Sequence, residues 1–496
     1  MAGVIGTVLL LALPLFDGSG RVDGFTSDQA SGFYAPPAGW YVSLQRTGNS
    51  TYVLTDRHQT KHILQPPDVP FQSYAYLATT EDRNGNTLTV HRDAEGRIRK
   101  VTDTLDRDIL FFYEHPTEKH LVTRIRDFAG REWLYFYTAA NELERVRLPI
   151  TDEFPSGTFW QYSYTTGSDP MSRDFRNHNL VSITDPKGQR FLVNTYTSDD
   201  RVVAQQYGGH SQNFGFSYAG AITRVTDRRG NLADWKFPTP ITITQTGPPV
   251  PSSKTEFTRG LRPGDPPSYT THFEHNVQQE LVEITFPELN RTRFTFDTAN
   301  PDPRRRGNLL ELRRFAGPRG DGFGHPADDI VTTFTYEPKF NFVHTTTDPR
   351  GNVPGASEAL QAAFTTTNVF DYEELGKDQG GIAETGLGDF NGDGHVGPPP
   401  GGRLAGNVIG VIHPPVPTYV DGTHDTTVML QPTEKFGYNH RGQRVFADDP
   451  LGNRDAFVYF PRRDASEDAN DPTDREGYLM ASVRAAGALN LTPGFG

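Results

Sequence analysis

The stretch TEDRNGNTLTVHRDAEGRIRKVTDTLDRDILFFYEHPTEKHLVTRIRDFAGREWLYFYTAANELERVRLP, Thr80 to Pro149, decides the fold. Asp82-Arg83-Asn84-Gly85 leads into NTLTV, and Asp93-Ala94-Glu95-Gly96 into RIRKVTD. Asp103-Thr104-Leu105-Asp106 leads into RDILFFY, and Asp127-Phe128-Ala129-Gly130 into REWLYFY. The aspartates at 82, 103 and 127 are 21 and 24 residues apart. Aspartate at the first position of a turn bonds its own backbone two residues on, and glycine takes the backbone conformation that other residues resist. The segments between alternate in polarity, so each reads as a strand with one apolar and one charged face. A single hairpin is marginal in water, so successive hairpins must pair edge to edge.

The unit returns. NLVSIT (179–184) runs into Asp185-Pro186-Lys187-Gly188, and AITRVT (221–226) into Asp227-Arg228-Arg229-Gly230, 42 residues after the first aspartate. Asp348-Pro349-Arg350-Gly351 and Asp449-Pro450-Leu451-Gly452 continue the series. Composition agrees. The 49 glycines and 38 prolines are about 18% of the 496 residues, against a usual ~12%. That is too turn-rich for a helical bundle, and 33 Phe, 20 Tyr and 4 Trp are too many aromatics for a disordered chain. Only Ala356–Phe364 and Ala481–Leu489 read as two-turn helices. Thr239–Pro267 and Gly380–Gly402, the latter with nine glycines, break the rhythm as loops or insertions.

The net charge of −13 disfavours nucleic acid and anionic membrane as partners. With no cysteine, disulfides, thiolate metal sites and a cysteine nucleophile are excluded. Ala2–Phe16 is uncharged but short for a membrane span, and it lacks a basic flank for a signal peptide. It is expected as a strand that turns through 17–20 into Arg21–Phe25, a β-hairpin. No membrane span is expected.

The pattern resembles the bacterial Rhs, or YD-repeat, family. The matching residues are Asp93-x-x-Gly96-Arg97 with Val101-Thr102-Asp103, Asn179-Leu180-Val181 with Ile183-Thr184-Asp185-Pro186-x-Gly188, Thr223 to Asp227 with Gly230-Asn231, Asp348-Pro349-x-Gly351-Asn352 and Asp449-Pro450-x-Gly452-Asn453. The likeness covers most of residues 35–460. It implies an all-β array of antiparallel hairpins spiralling into a large open or hollow β-shell, with few short helices. The segments expected are an N-terminal β region (1–75), the repeat array (76–375), a Gly/Pro-rich loop (376–405) and further repeats (406–496). In the family such shells enclose a C-terminal toxin or present a carbohydrate- or receptor-binding surface. A secreted or cell-surface location follows from the same likeness. The self-cleaving block that precedes a toxin has no counterpart here, so the chain is expected to be a piece of a shell rather than a toxin carrier.

The sharpest local motif is Gly388-Asp389-Phe390-Asn391-Gly392-Asp393-Gly394-His395. Asp389, Asn391 and Asp393 occupy positions 1, 3 and 5 of a calcium loop, Gly394 position 6, and the carbonyl of His395 position 7. Calcium is the cofactor so implied. Position 12 is Pro400, where the bidentate acid belongs, and an Asx-rich turn is the other reading. Enzyme motifs such as His-Glu-x-x-His, Gly-x-Ser-x-Gly and the Walker loop are absent. His58 and His62, four apart in a strand-like context, read as surface residues, Arg304-Arg305-Arg306 as a solvated turn, and Arg319-Gly320-Asp321 as chance. Trp160, Tyr162 and Tyr164 share one strand face, as packing between layers or as a sugar platform. The function expected is a non-enzymatic shell that encapsulates cargo encoded downstream or binds carbohydrate or a cell-surface receptor. The alternatives are a secreted β-rich carbohydrate-active enzyme and a stand-alone adhesin.

Overall fold

The computed structural model describes residues 12–16, 22–27, 32–48, 51–66, 75–165, 178–208, 213–238, 250–260, 262–318, 329–373, 405–419, 427–439, 441–460 and 476–486. Alternation along the chain becomes strand, turn, strand with almost no interruption. Of the 35 strands among the described residues, 33 form one antiparallel sheet, in which each strand pairs with its neighbours in chain order from Ala12–Phe16 to Leu479–Ala486. The expected N-terminal hairpin is present, with Ala12 opposite Thr26 and Phe16 opposite Val22. The other two strands, Val416–Tyr419 and Thr427–Leu430, pair only with each other. A single short α-helix, Glu358–Ala362, lies among the described residues, within Ala356–Phe364. Ala481–Leu489 behaves differently from its expected helix. Leu479–Ala486 is a strand against Arg454–Tyr459, because an open sheet edge outweighs the modest helix preference of alanine. Part of the expected loop Thr239–Pro267 is also a strand, Ser253–Phe257, paired on both sides.

The turns are built as the sequence implies. Asp93 Oδ1 accepts from Glu95 N (3.1 Å) and Arg97 N (2.9 Å), and Asp449 Oδ1 from Leu451 N and Asn453 N (2.9 Å each). Gly96 N closes onto the Asp93 carbonyl at 3.0 Å, with φ +82°. This is a three-residue hairpin loop, a type I turn followed by a left-handed residue. The hydrogen bond from the Asn231 side chain to Asp227, with the bond from its backbone N–H, holds the Asp227 carboxyl below the usual carboxylate range. A depressed carboxyl contributes stability above its unfolded pKa of about 4 and loses it as pH falls through the lower folded value. The Tm advantage of the native protein over Asp227→Asn is therefore expected to be constant above about pH 5. It shrinks progressively below about pH 4. Thermal melts of the pair across pH 2.5 to 7 check this; a gap that persists unchanged at the acid end would contradict it.

A second repeated device fastens the hairpins. Tyr113, Tyr137, Tyr164, Tyr196, Tyr218, Tyr336 and Tyr459, at the ends of strands, donate their hydroxyls to the carbonyls of Ile98, Val122, Leu143, Leu180, Val202, Leu309 and Arg444. Each acceptor lies at or beside the start of the preceding strand, so one bond clamps the open end of each hairpin. Burial pushes the Tyr137 and Tyr164 hydroxyls above the ordinary phenol value, so they stay protonated donors. Tyr137→Phe is expected to cost about 1 kcal/mol, the net worth of one such bond. The loss should appear as faster amide exchange in strands Arg124–Arg126 and Glu132–Tyr137, with distant strands unaffected.

The sheet is one layer thick. Buried apolar residues among those described are few, including Phe25, Leu44, Leu105, Phe370 and Phe446. A sandwich would bury a whole face of every strand. Instead the ribbon coils and rests one rim on the other. One rim of the first coil carries the turns at 36–42, 56–60, 82–86 and 103–107. The opposite rim, further along, carries those at 276–280, 302–308, 337–342, 439–443 and 476–478, together with Asp371 and Asn407. These two sets meet. The Tyr41 hydroxyl donates to Glu280 Oε1, Gln59 Nε2 donates to the Lys339 carbonyl at 2.9 Å, and Asn86 Nδ2 to the Arg441 carbonyl at 3.0 Å. Leu105 packs beside Gly477. The meeting turns lie about twenty strands apart. At ~4.8 Å per strand one coil is ~100 Å around, a diameter of about 30 Å.

Candidate functional site: the apolar face and the seam between coils

Strand alternation places one continuous apolar band on one face of the ribbon. Paired residues carry it from strand to strand: Val101 with Ile109, Phe111 with Ile125, Ile125 with Trp133, Tyr135 with Val146, Val146 with Trp160, and Tyr162 with Ile183. Leu88, Ile109, Phe111, Ile125, Trp133 and Tyr135 border a trough of about 530 Å³, which the turn residues Asp103, Arg107, Asp127 and Arg131 also line. Leu88 and Ile109 remain 49% and 41% exposed there, so this surface is open rather than a filled core. The other face carries cross-strand ion pairs, among them Lys100 with Asp108 (3.1 Å), Arg124 with Glu132 (2.9 Å) and Arg224 with Asp234 (2.6 Å).

The seam is joined by ring, cation–π and hydrogen-bond contacts between the two coils. His58, Phe342, Phe370 and Tyr372 form a column of rings. His58 stacks on Phe342 at 4.4 Å, Phe342 on Phe370 at 6.1 Å, and Phe370 on Tyr372 at 6.1 Å. The Arg83 guanidinium lies over Phe342 at 4.7 Å. Glu337, 1% exposed, accepts backbone N–H bonds from Lys339 (2.6 Å), Phe340 (2.7 Å) and Phe342 (3.0 Å), and one from the Tyr372 hydroxyl. Burial, and then the Glu337 carboxylate, push the Tyr372 hydroxyl far above the ordinary phenol value. Asp371 accepts from Ala405 N (3.0 Å), Gly406 N (2.9 Å) and Asn407 N (3.1 Å). This is the aspartate turn again, opened after its first residue. Asp371 begins it and Gly406-Asn407 ends it, as Gly452-Asn453 ends the turn of Asp449, with residues 372–405 inserted between. A search for Asp-x-x-Gly in a four-residue window misses it; a Gly-Asn pair without its aspartate is the signal that finds it.

The calcium-loop residues Asp389, Asn391, Asp393 and His395 lie in that insertion, outside the described residues, as do Arg319-Gly320-Asp321. Among the described residues no group of three or more His, Asp or Glu is placed to hold a metal. His58 is corrected. It belongs to the turn at 56–60, with Nδ1 3.1 Å from the Phe340 carbonyl oxygen, whereas His62 is in strand Lys61–Gln65 with Nδ1 3.1 Å from Thr80 Oγ1. Arg304-Arg305-Arg306 is corrected as well. Arg304 pairs with Asp302 (2.8 Å) and donates to Gln59 Oε1 (3.0 Å), so the run is part of the seam. In the stripe of Trp160, Tyr162 and Tyr164, Trp160 packs edge-on against Phe191 at 6.3 Å and the Tyr164 hydroxyl is committed to Leu143. No helix among the described residues is long and apolar enough to cross a membrane.

No family model and no curated protein matches the chain. Solved structures do, at low identity. One is a TcdB2–TccC3–Cdc42 crystal structure, 8% identical over 90% of this chain with a TM-score of 0.44. A second is TcdB2–TccC3, 9% identical over 90% of this chain with a TM-score of 0.41. A third is the Photorhabdus luminescens Tc holotoxin pore with a TccC3 mutation, 12% identical over 95% of this chain with a TM-score of 0.42. The chain spans 22%, 22% and 21% of the length of those chains.

Proposed function

We propose that this chain is a non-enzymatic section of wall in a hollow β-shell, with the apolar face turned inward to hold a non-native polypeptide. The carrying observation is the coil itself: one unbroken ribbon whose rims meet after about twenty strands, around a space of about 30 Å. The trough of about 530 Å³ on this face supports the inward orientation, because it offers an apolar surface to whatever the shell encloses. A face of open apolar residues of this extent is a binding surface, and its lining of Ile109, Phe111, Trp133 and Tyr135 suits an extended apolar chain better than a sugar with its many hydroxyls. An extracellular setting belongs to the same proposal.

Binding of a reduced, carboxymethylated and hence permanently unfolded model polypeptide tests it. Fluorescence anisotropy is expected to report micromolar affinity for the unfolded probe and none for the same polypeptide in its folded, disulfide-bonded form. Ile109→Glu, which places a charge in the trough without touching the seam, should weaken the affinity at least tenfold, about 1.4 kcal/mol. Equal affinity for both forms, or no effect of Ile109→Glu, would overturn the reading.

A further inference from the structure

Within the seam, the third residue of a turn on one rim seats against a positive-φ glycine of the other. Asn84 lies where a Cβ on Gly442 (φ +78°) would meet it at 2.4 Å, and Leu105 where one on Gly477 (φ +77°) would meet it at 3.2 Å. Leu105 is thereby buried to 7% exposure. Leu451 holds the same turn position in Asp449-Pro450-Leu451-Gly452, on the same rim but in the second coil, and it is 88% exposed. Leu289, in the turn at 286–290 of that rim, is 60% exposed. The two-stranded arm Val416–Tyr419 and Thr427–Leu430 projects from the same rim, between Ile412 and Thr433, and is separated from the main ladder by Pro414, Pro415 and Pro432. Proline interrupts ladder hydrogen bonding. Val416, Met429 and Leu430 on the arm are 44%, 63% and 50% exposed. A lone hairpin with apolar residues on both faces is marginal until something covers it.

We infer that this rim docks a second copy of the chain, head to tail. The molecule carries both halves of its own seam. Leu451, the knob of the second coil, is uncovered among the described residues. The complementary rim of the first coil holds Gly96, at φ +82°, at the same position in its turn that Gly442 holds in the seam. Stacking one copy on the next seats Leu451 on such a glycine as Leu105 is seated on Gly477, and covers the arm. The inference rests on the coiled-shell reading and adds a partner to it. Because the contact is heterologous, it extends by repetition rather than closing at two.

Sedimentation velocity of the full chain tests this from about 1 to about 100 μM, a range that brackets a micromolar contact. The protein is expected to form a concentration-dependent ladder beyond the dimer. Leu451→Glu should remain a monomer with an unchanged Tm, since Leu451 is 88% exposed among the described residues. A monomer at every concentration, a species that stops at the dimer, or a ladder unaffected by Leu451→Glu would each overturn it. Leu105→Glu separates this failure from that of the coil: it should lower Tm sharply whatever the oligomeric state, and a Tm equal to that of the native protein would mean that the coils do not rest on each other.

Discussion

Phe370→Ala is expected to lower stability by about 3–5 kcal/mol, the range for truncating a buried phenylalanine. Phe370 is 0% exposed and sits in the middle of the ring column, between Phe342 and Tyr372. Its loss leaves a void that the neighbours cannot close, because Phe342 is also held by His58 and Arg83 from the first coil. The effect should spread along the seam rather than along the ribbon. Amides at 82–86 and 337–342, far apart in sequence, are expected to exchange faster together. Phe191→Ala is the contrast, because Phe191 is 48% exposed and its truncation should cost about 1 kcal/mol or less. Equal losses of Tm in the two variants would show that the seam is not where the cohesion lies. A ribbon of repeats need not melt in one step, so regional exchange is the more informative readout.

Asp371→Ala should cost about as much, by a different route. The carboxylate bonds three consecutive N–H groups, of Ala405, Gly406 and Asn407. Ala405 and Asn407 are 2% and 7% exposed, so the freed donors have little access to water. An orphaned buried donor costs about 1–3 kcal/mol, and an estimate for the set is about 3–5 kcal/mol, since the three are not independent. Asn407 also joins the first coil, through Asn84 at 3.2 Å and Arg83 at 3.4 Å. Loss of Asp371 should therefore loosen the 82–86 turn too. Asp371→Asn keeps an acceptor oxygen and is expected to fall between the native protein and the alanine variant. Tm and exchange at Gly406 and Asn407 give the order; an asparagine variant as unstable as alanine would show that the charge, not the acceptor, matters.

Much of the local structure is legible before any coordinates. Asp93, Asp185, Asp227 and Asp449 cap their turns through the bonds that an aspartate at the first position makes, two and four residues on. Polarity alternation also gives the face of each strand, and so the apolar band from Val101 to Ile183. Ala481–Leu489 was not legible. Its alanines favour a helix, and only the open edge of Arg454–Tyr459 makes its described part, Ala481–Ala486, a strand. The turn of Asp371 escaped for a related reason: its two halves are 34 residues apart, and only the hydrogen bonds to Ala405, Gly406 and Asn407 join them.

The sequence by itself determined the turns, the strands, their order in the sheet and the polarity of the two faces, because each depends on interactions over a few residues or between neighbouring strands. The tertiary structure alone decided which turns meet. Tyr41 finds Glu280, and His58 finds Phe342, only after some twenty strands have each added a small twist, and a sum of small angles is not written in any one repeat. The burial of Leu105 and the exposure of Leu451, in turns of the same design, follow from that sum rather than from the residues themselves.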